Sequence, residues 1–179
     1  MNKKMKPALY IAQAAMIAAL YVVLTYFINA FNLASGAIQV RISEALTILP
    51  VFTPAAIPGL FIGCLLSNTL TGCVIWDIVF GSMATLIAAV GTYLLRNTKF
   101  IFTLPPVIAN AVIVPFVLKY AYGLGDAYWY LFVTVGIGEI ISVCILGFIL
   151  KKVLSRYENV LFKQDADSVK KEDKIEEIA

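Results

Sequence analysis

The most constraining feature of this sequence is an apolar run, residues 45–72, that is too long for one membrane span. It has about 28 residues, whereas one helix crosses a bilayer with about 20. Three prolines interrupt the run: Pro50, Pro54 and Pro58. Because proline disfavours a helical conformation at the preceding residue, we expect the chain to turn near Thr53. One tilted helix is the alternative, but the prolines favour two short helices, over 42–52 and 55–71.

The composition predicts an all-α membrane protein. Of the 179 residues, 61% are hydrophobic and 14% are charged, with a mean hydropathy of +0.88. Soluble domains average about 45–50% apolar and about 25% charged residues. We expect one transmembrane bundle over residues 1–157, followed by a polar cytoplasmic tail over 158–179.

The distribution of lysine and arginine predicts the topology. Four longer spans are expected over 8–30, 75–96, 100–121 and 126–153. Six spans gather nearly all lysines and arginines on one side, which the positive-inside rule makes cytoplasmic, whereas five would separate the two terminal basic clusters. We therefore predict six spans with both termini cytoplasmic. An aromatic belt then lies at the outer interface: Tyr120, Tyr122, Tyr128, Trp129 and Tyr130.

The sequence disfavours several classes of activity. It has no histidine and no GxxxxGK[ST] phosphate-binding loop, and its three cysteines lack the spacing of a metal site. We therefore expect no catalytic residue, no metal and no cofactor. The net charge of +3 comes from flanks and loops, so it indicates orientation in the membrane and not nucleic-acid binding.

The predicted topology puts the polar residues of the spans between the midplane and the outer face. These candidate ligand-binding residues are Gln39, Arg41, Glu44, Asn68, Trp76, Asp77, Asn110 and Glu139. A charge at the bilayer centre costs about 2.5–3.5 kcal/mol, so such residues usually face a partner or a water-filled cavity. Their confinement to one half of the membrane indicates a pocket open to the outside and argues against a channel.

Each candidate also has a structural alternative. Arg41 could pair with Glu139 or with Glu44. Asp77 could serve only as the cap of its helix, and Trp76 could belong to the aromatic belt.

Small residues on the first helix indicate a close helix–helix contact. Ala14 and Ala18 stand four residues apart, as do Ala15 and Ala19. Such spacing lets another backbone approach, either from this bundle or from a partner protein. The next segment, 31–40, is predicted to be an exposed loop that can act as a lid.

Four stretches resemble the QueT family, the queuosine-precursor transporters, which are substrate-binding (S) components of energy-coupling-factor (ECF) transporters. They are VRISEALTILP (40–50), AAIPGLFIGCLLSN (55–68), WDIVFGSMATLIAA (76–89) and VGIGEIISVCILG (135–147). The stretch AAMIAAL (14–20) resembles the face with which S-components dock on their coupling partner. This assigns docking to Ala15 and Ala19, and less directly to Ala14 and Ala18.

The resemblance implies a carrier in a prokaryotic plasma membrane and not an enzyme. Six helices surround an outer pocket, the loop after the first helix covers it, and a separate complex of one membrane coupling protein and two ATPases drives import. The ligand implied is a 7-deazaguanine, such as the 7-aminomethyl or 7-cyano form. Rival interpretations are an S-component for another vitamin or small metabolite, a small intramembrane enzyme, or a channel.

The implied ligand suggests a role for each candidate. A carboxylate accepts the adjacent N–H and NH₂ of a guanine edge, and we expect Glu139 to do so. Asp77 or Glu44 would meet an aminomethyl cation. Asn110 would bond the ring carbonyl and Trp76 would stack on the ring face.

Overall fold

The computed structural model describes residues 7–30 and 41–162, and every regular element within those ranges is helical. Six α-helices are present there: α1 (Pro7–Ala30), α2 (Ala56–Leu70), α3 (Ile75–Leu94), α4 (Leu104–Tyr120), α5 (Tyr128–Glu139) and α6 (Gly147–Leu161). A 3-10 helix, Ile42–Val51, precedes α2, a 3-10 turn, Ile101–Thr103, precedes α4, and a π-helical segment, Ile140–Leu146, joins α5 to α6. The predicted all-α class is confirmed.

Four helical stretches are long and apolar enough to cross a membrane: Pro7–Ala30, Ile75–Leu94, Ile101–Tyr120 and Tyr128–Tyr157. The 3-10 helix and α2 are apolar but shorter. The chain is thus a membrane protein, while the six-span topology stays a prediction.

The proline-rich run divides where the sequence predicts, at residues 52–55. Its first half is a 3-10 helix and not an α-helix, and it contains Pro50, which has no N–H to donate to a backbone hydrogen bond. All residues from Ser43 to Pro50 are buried. With a rise of about 2.0 Å per residue, the ten residues extend over roughly 20 Å through the centre of the bundle. This element belongs to the core and does not face lipid.

Glycines of α2 pack against alanines of α1. A Cβ on Gly59 would lie 2.7 Å from the carbonyl oxygen of Ala14, and one on Gly63 would lie 3.1 Å from the Cα of Ala18. This small-xxx-small contact brings the two backbones together where lipid provides no hydrophobic drive. Ala14 and Ala18, predicted to help dock a partner, are therefore already used inside the bundle.

The adjoining face of α1 is free of such contacts within the described part of the chain. Ala15 and Ala19 are both exposed there. They remain candidates for docking a partner.

The last helical stretch is continuous from Tyr128 to Leu161. Directly after Glu139 it changes from an α-helix to a π-helix, and it returns to an α-helix at Gly147. It runs beyond the predicted boundary at residue 157. The Leu161 carbonyl accepts a hydrogen bond from Gln13 Nε2 at 3.4 Å, and the Phe162 ring stacks on Phe52 with centroids 5.3 Å apart. The beginning of the expected tail is thus packed on the bundle. The predicted lid, 31–40, and the tail from residue 163 lie outside the described residues.

Replacing Gly63 by alanine should destabilise the bundle. The new Cβ would lie 2.8 Å from the Tyr21 Cβ and 3.1 Å from the Ala18 carbonyl oxygen, so α1 and α2 must separate. We expect a loss of about 1–3 kcal/mol in the free energy of unfolding, measured by denaturation in detergent. The control is Gly136→Ala in α5, where the nearest atom to the added Cβ is the Ala111 Cβ at 3.7 Å. Equal stability of the two variants would contradict this packing.

Candidate functional site

A polar cavity of about 410 Å³ lies at one end of the bundle. It is bounded by the C-terminal ends of α1, α2 and α4, by the beginnings of the 3-10 helix and α3, and by the loop between α4 and α5. Its polar lining consists of Thr25, Asn29, Arg41, Ser43, Asn68, Thr71, Asp77 and Tyr122. These side chains converge because the helices that bear them all begin or end at the same level.

Asp77 is the only carboxylate that lines this cavity among the described residues. It lies in the first turn of α3, where the helix dipole favours a negative charge. Its Oδ2 accepts a hydrogen bond from the Tyr122 hydroxyl at 2.9 Å. Its Oδ1 is buried, and no described residue donates to it. Asp77 therefore offers a vacant acceptor.

Neighbouring residues fix the position of Asp77. Asn68 Nδ2 donates to the Asp77 backbone carbonyl at 3.4 Å and so joins α2 to α3. A Cβ on Gly81, one turn further along α3, would lie 3.2 Å from Asp77 Oδ1. A glycine at this position therefore leaves room beside the free carboxylate oxygen.

Arg41 supplies the positive charge of the cavity. It lies just before the 3-10 helix, and its guanidinium interacts through space most strongly with Asp77 and less strongly with Glu44. Because Asp77 and Arg41 face the same space from different elements, a ligand there would meet both an acceptor and a set of donors.

A second group of buried polar side chains adjoins the cavity without lining it. We call Tyr21, Glu44, Asn110 and Glu139 the buried polar cluster. Glu44 accepts hydrogen bonds from the Tyr21 hydroxyl and, at 3.4 Å, from Asn110 Nδ2. Glu139 interacts with both Glu44 and Asn110. The exposed fraction of each member is 5% or less.

Glu139 also has a vacant acceptor. Its Oε2 is buried, and it has no hydrogen-bond donor within the described ranges. The π-helical segment begins at the next residue, Ile140. Such widened turns are frequent at functional sites.

The structure thus separates the predicted site residues into groups. Arg41, Asn68 and Asp77 line the cavity, and Glu44, Asn110 and Glu139 form the adjoining cluster. Gln39 lies outside the described residues.

Trp76 does not line the cavity. Its indole is 58% exposed, stacks on Phe80 with centroids 6.0 Å apart, and borders an apolar groove between α3 and α4. Consecutive helical residues point about 100° apart, so Trp76 and Asp77 face different sides of α3. This position suits the aromatic belt and not stacking on a ligand in the cavity.

Two tyrosines of the site were not among the predicted site residues. Tyr21 donates to Glu44, and Tyr122, predicted only for the aromatic belt, donates to Asp77. Tyr21 follows Ala18 by three residues, so the helical spacing of the sequence places it on the same face of α1 as Ala14 and Ala18. Tyr122 follows the end of α4, and nothing in a loop sequence indicates which side chain it contacts.

Comparison with known proteins gives a consistent family. The family model described as "QueT transporter" matches residues 11–156. A curated protein of Lactococcus lactis subsp. cremoris (strain MG1363), "Queuosine precursor transporter QueT", is 37% identical over 78 residues. That match covers 43% of this chain and 45% of the relative, so it spans less than half of either protein. No solved structure matches the chain.

The bond between Tyr122 and Asp77 should be measurable by titration. Burial, and then the charge of Asp77, raise the pKa of the Tyr122 phenol above its ordinary value of about 10. An ultraviolet pH titration of the wild type minus that of Tyr122→Phe isolates this phenol and should show the raised pKa. Asp77→Asn should lower it, because the negative charge that opposes ionisation is removed. Asp126→Asn, which alters an exposed acid before α5, should leave it unchanged. A Tyr122 pKa insensitive to Asp77→Asn would contradict the contact.

Proposed function

This chain belongs to the QueT transporter family, and from that premise we propose that it captures a queuosine precursor as the substrate-binding component of an ECF importer. The precursor is a 7-deazaguanine such as the 7-aminomethyl or 7-cyano form. The observation that supports this most directly is the polar cavity, in which Asp77 offers a buried and vacant carboxylate oxygen.

The ligand's hydrogen-bonding edge matches Asp77. A guanine edge presents an N–H and an NH₂ side by side, and one carboxylate accepts both in a charge-assisted bidentate pair. Asp77 Oδ1 is free to accept one of these bonds. Asp77 Oδ2 would accept the other after it loses the hydrogen bond from the Tyr122 hydroxyl. We assign the edge to Asp77 in place of Glu139, because Glu139 does not line the cavity. Arg41 supplies donors for the ring carbonyl.

The distribution of basic residues supports an outward-facing cavity. Most of the described lysines and arginines follow α3 or lie on α6, at the end of the bundle away from the cavity: Arg96, Lys99, Lys151, Lys152 and Arg156. Arg41 and Lys119 lie at the cavity end. Since lysine and arginine concentrate on the cytoplasmic side, the cavity opens to the exterior.

The exposed face of α1 supports docking on a separate coupling module, which consists of a membrane coupling protein and two ATPases. Ala15 and Ala19 are exposed and four residues apart, so a partner helix can approach the α1 backbone closely. The other pair, Ala14 and Ala18, is covered by α2 and cannot serve. In this proposal the module supplies the energy of transport and this chain supplies the binding site.

Replacing Asp77 by asparagine should weaken ligand binding about 10- to 100-fold. Asparagine keeps the size but presents only one acceptor and no charge, and a charge-assisted bond contributes about 1.5–3 kcal/mol. The measurement is calorimetric titration of the purified full-length protein with 7-aminomethyl- and 7-cyano-7-deazaguanine. Asp126→Asn, which removes an exposed acid of the same end, is the control and should bind as the wild type does. Unchanged affinity in Asp77→Asn would remove Asp77 from the site, and a wild type that binds neither compound would overturn the proposed function.

Enlarging Ala19 should uncouple transport from binding. Ala19→Leu adds bulk to an exposed position, so we expect retained ligand affinity but at least about tenfold less co-purified coupling module and less uptake. The control is Ala30→Leu, also exposed on α1, roughly three turns away at the cavity end. Normal association of the Ala19→Leu variant would exclude this face.

A further inference from the structure

We propose that the Tyr122 hydroxyl is an internal competitor of the ligand for Asp77, and that it lowers the affinity for ligands that need both oxygens of this carboxylate. The inference rests on the proposed function, in which a guanine edge bonds Asp77 through two adjacent donors. It adds a residue that regulates the same site.

Tyr122 and the edge of the ligand require the same oxygen atom. Tyr122 and Asp77 both line the polar cavity, and the Tyr122 hydroxyl donates to Asp77 Oδ2 at 2.9 Å. Asp77 Oδ1 receives no hydrogen bond from the described residues. A ligand with one donor can therefore bond Oδ1 and leave Tyr122 in place. A ligand with two adjacent donors requires Oδ2 as well.

The tyrosine and the ligand reach Asp77 from the same side. The exposed fraction of Asp77 is 5% and that of Tyr122 is 42%, so the tyrosine lies on the solvent side of the carboxylate. Helices α2 and α3 close the other side, where a Cβ on Gly81 would lie 3.1 Å from Asn68 Nδ2 and 3.2 Å from Asp77 Oδ1. The Tyr122 hydroxyl therefore stands where the second donor of the ligand must arrive.

Tyr122 can leave this position without a movement of its backbone. The amides of Ala121 and Tyr122 both donate to the Val117 carbonyl, at 2.8 and 3.2 Å. The Leu124 amide donates to the Leu118 carbonyl at 3.2 Å. These bonds hold the segment against the end of α4, so rotation of the Tyr122 side chain alone releases Oδ2. Such rotations are fast in exposed side chains.

The bond that the ligand must replace is a strong one. Burial, and then the charge of Asp77, raise the pKa of the Tyr122 phenol, so the phenol keeps its proton and remains a donor at neutral pH. A hydrogen bond to a carboxylate is also stronger than one between neutral groups. The second ligand donor thus exchanges one charge-assisted bond for another, and only the difference contributes to affinity. Without the hydroxyl, that donor displaces water in place of a preorganised protein group.

The purified full-length protein should be titrated by calorimetry with two compounds. One is 7-aminomethyl-7-deazaguanine, and the other is its 7-deazahypoxanthine counterpart, which lacks the 2-amino group and presents a single donor. Tyr122→Phe removes the hydroxyl and keeps the ring. We expect this variant to bind the two-donor compound about three- to tenfold more tightly than the wild type does, and the one-donor compound with a change below about twofold.

Tyr120→Phe is the matched control. It alters an exposed tyrosine at the same end of α4 that borders the apolar groove and not the polar cavity. Its affinity for both compounds should equal that of the wild type.

Each other outcome counts against the inference. Unchanged or weaker binding of the two-donor compound by Tyr122→Phe overturns it but leaves the proposed function standing, because the wild type still binds. An equal gain for both compounds also overturns it, since the hydroxyl would then act elsewhere than on Asp77 Oδ2. Should Tyr122→Phe not fold, Tyr122→Leu removes the hydroxyl together with the ring and decides by the same comparison. A wild type that binds neither compound refutes the proposed function, and the inference with it.

Discussion

The carboxylate of Glu44 accepts hydrogen bonds from Tyr21 of α1 and Asn110 of α4, and these bonds lie within the centre of an apolar bundle. A buried carboxylate requires such donors, because desolvation disfavours a charge that nothing solvates. Three elements must therefore meet at one point: α1, α4 and the 3-10 helix. Glu139 adds α5 to the same point.

The close packing of α1 and α2 makes this meeting possible. Gly59 and Gly63 allow the α1 backbone to approach, and Tyr21 lies on the same face of α1 as the alanines that they contact. The exposed face of the same helix leaves Ala15 and Ala19 accessible. One helix thus contributes a donor to the polar cluster and leaves a second face exposed.

The 3-10 helix connects the two ends of the molecule. Arg41 and Glu44 stand at its beginning, near the cavity. Directly after its end, the Thr53 hydroxyl donates to the Gln13 side chain at 2.8 Å, and Gln13 in turn donates to the end of α6. Residues beside the polar cavity and residues at the far end of α1 and α6 therefore belong to one hydrogen-bonded and packed framework.

The sequence alone determined the helical membrane class, the turn within the proline-rich run and most of the polar residues that converge, because hydropathy and proline act locally. It could not determine that residues 42–51 form a buried 3-10 helix, that the winding changes after Glu139, or that Trp76 faces away from Asp77. Those features depend on which helices pack together. Only the tertiary structure decided that Tyr122 contacts Asp77 and that Ala14 and Ala18 are covered while Ala15 and Ala19 are free, since each contact joins residues from separate elements.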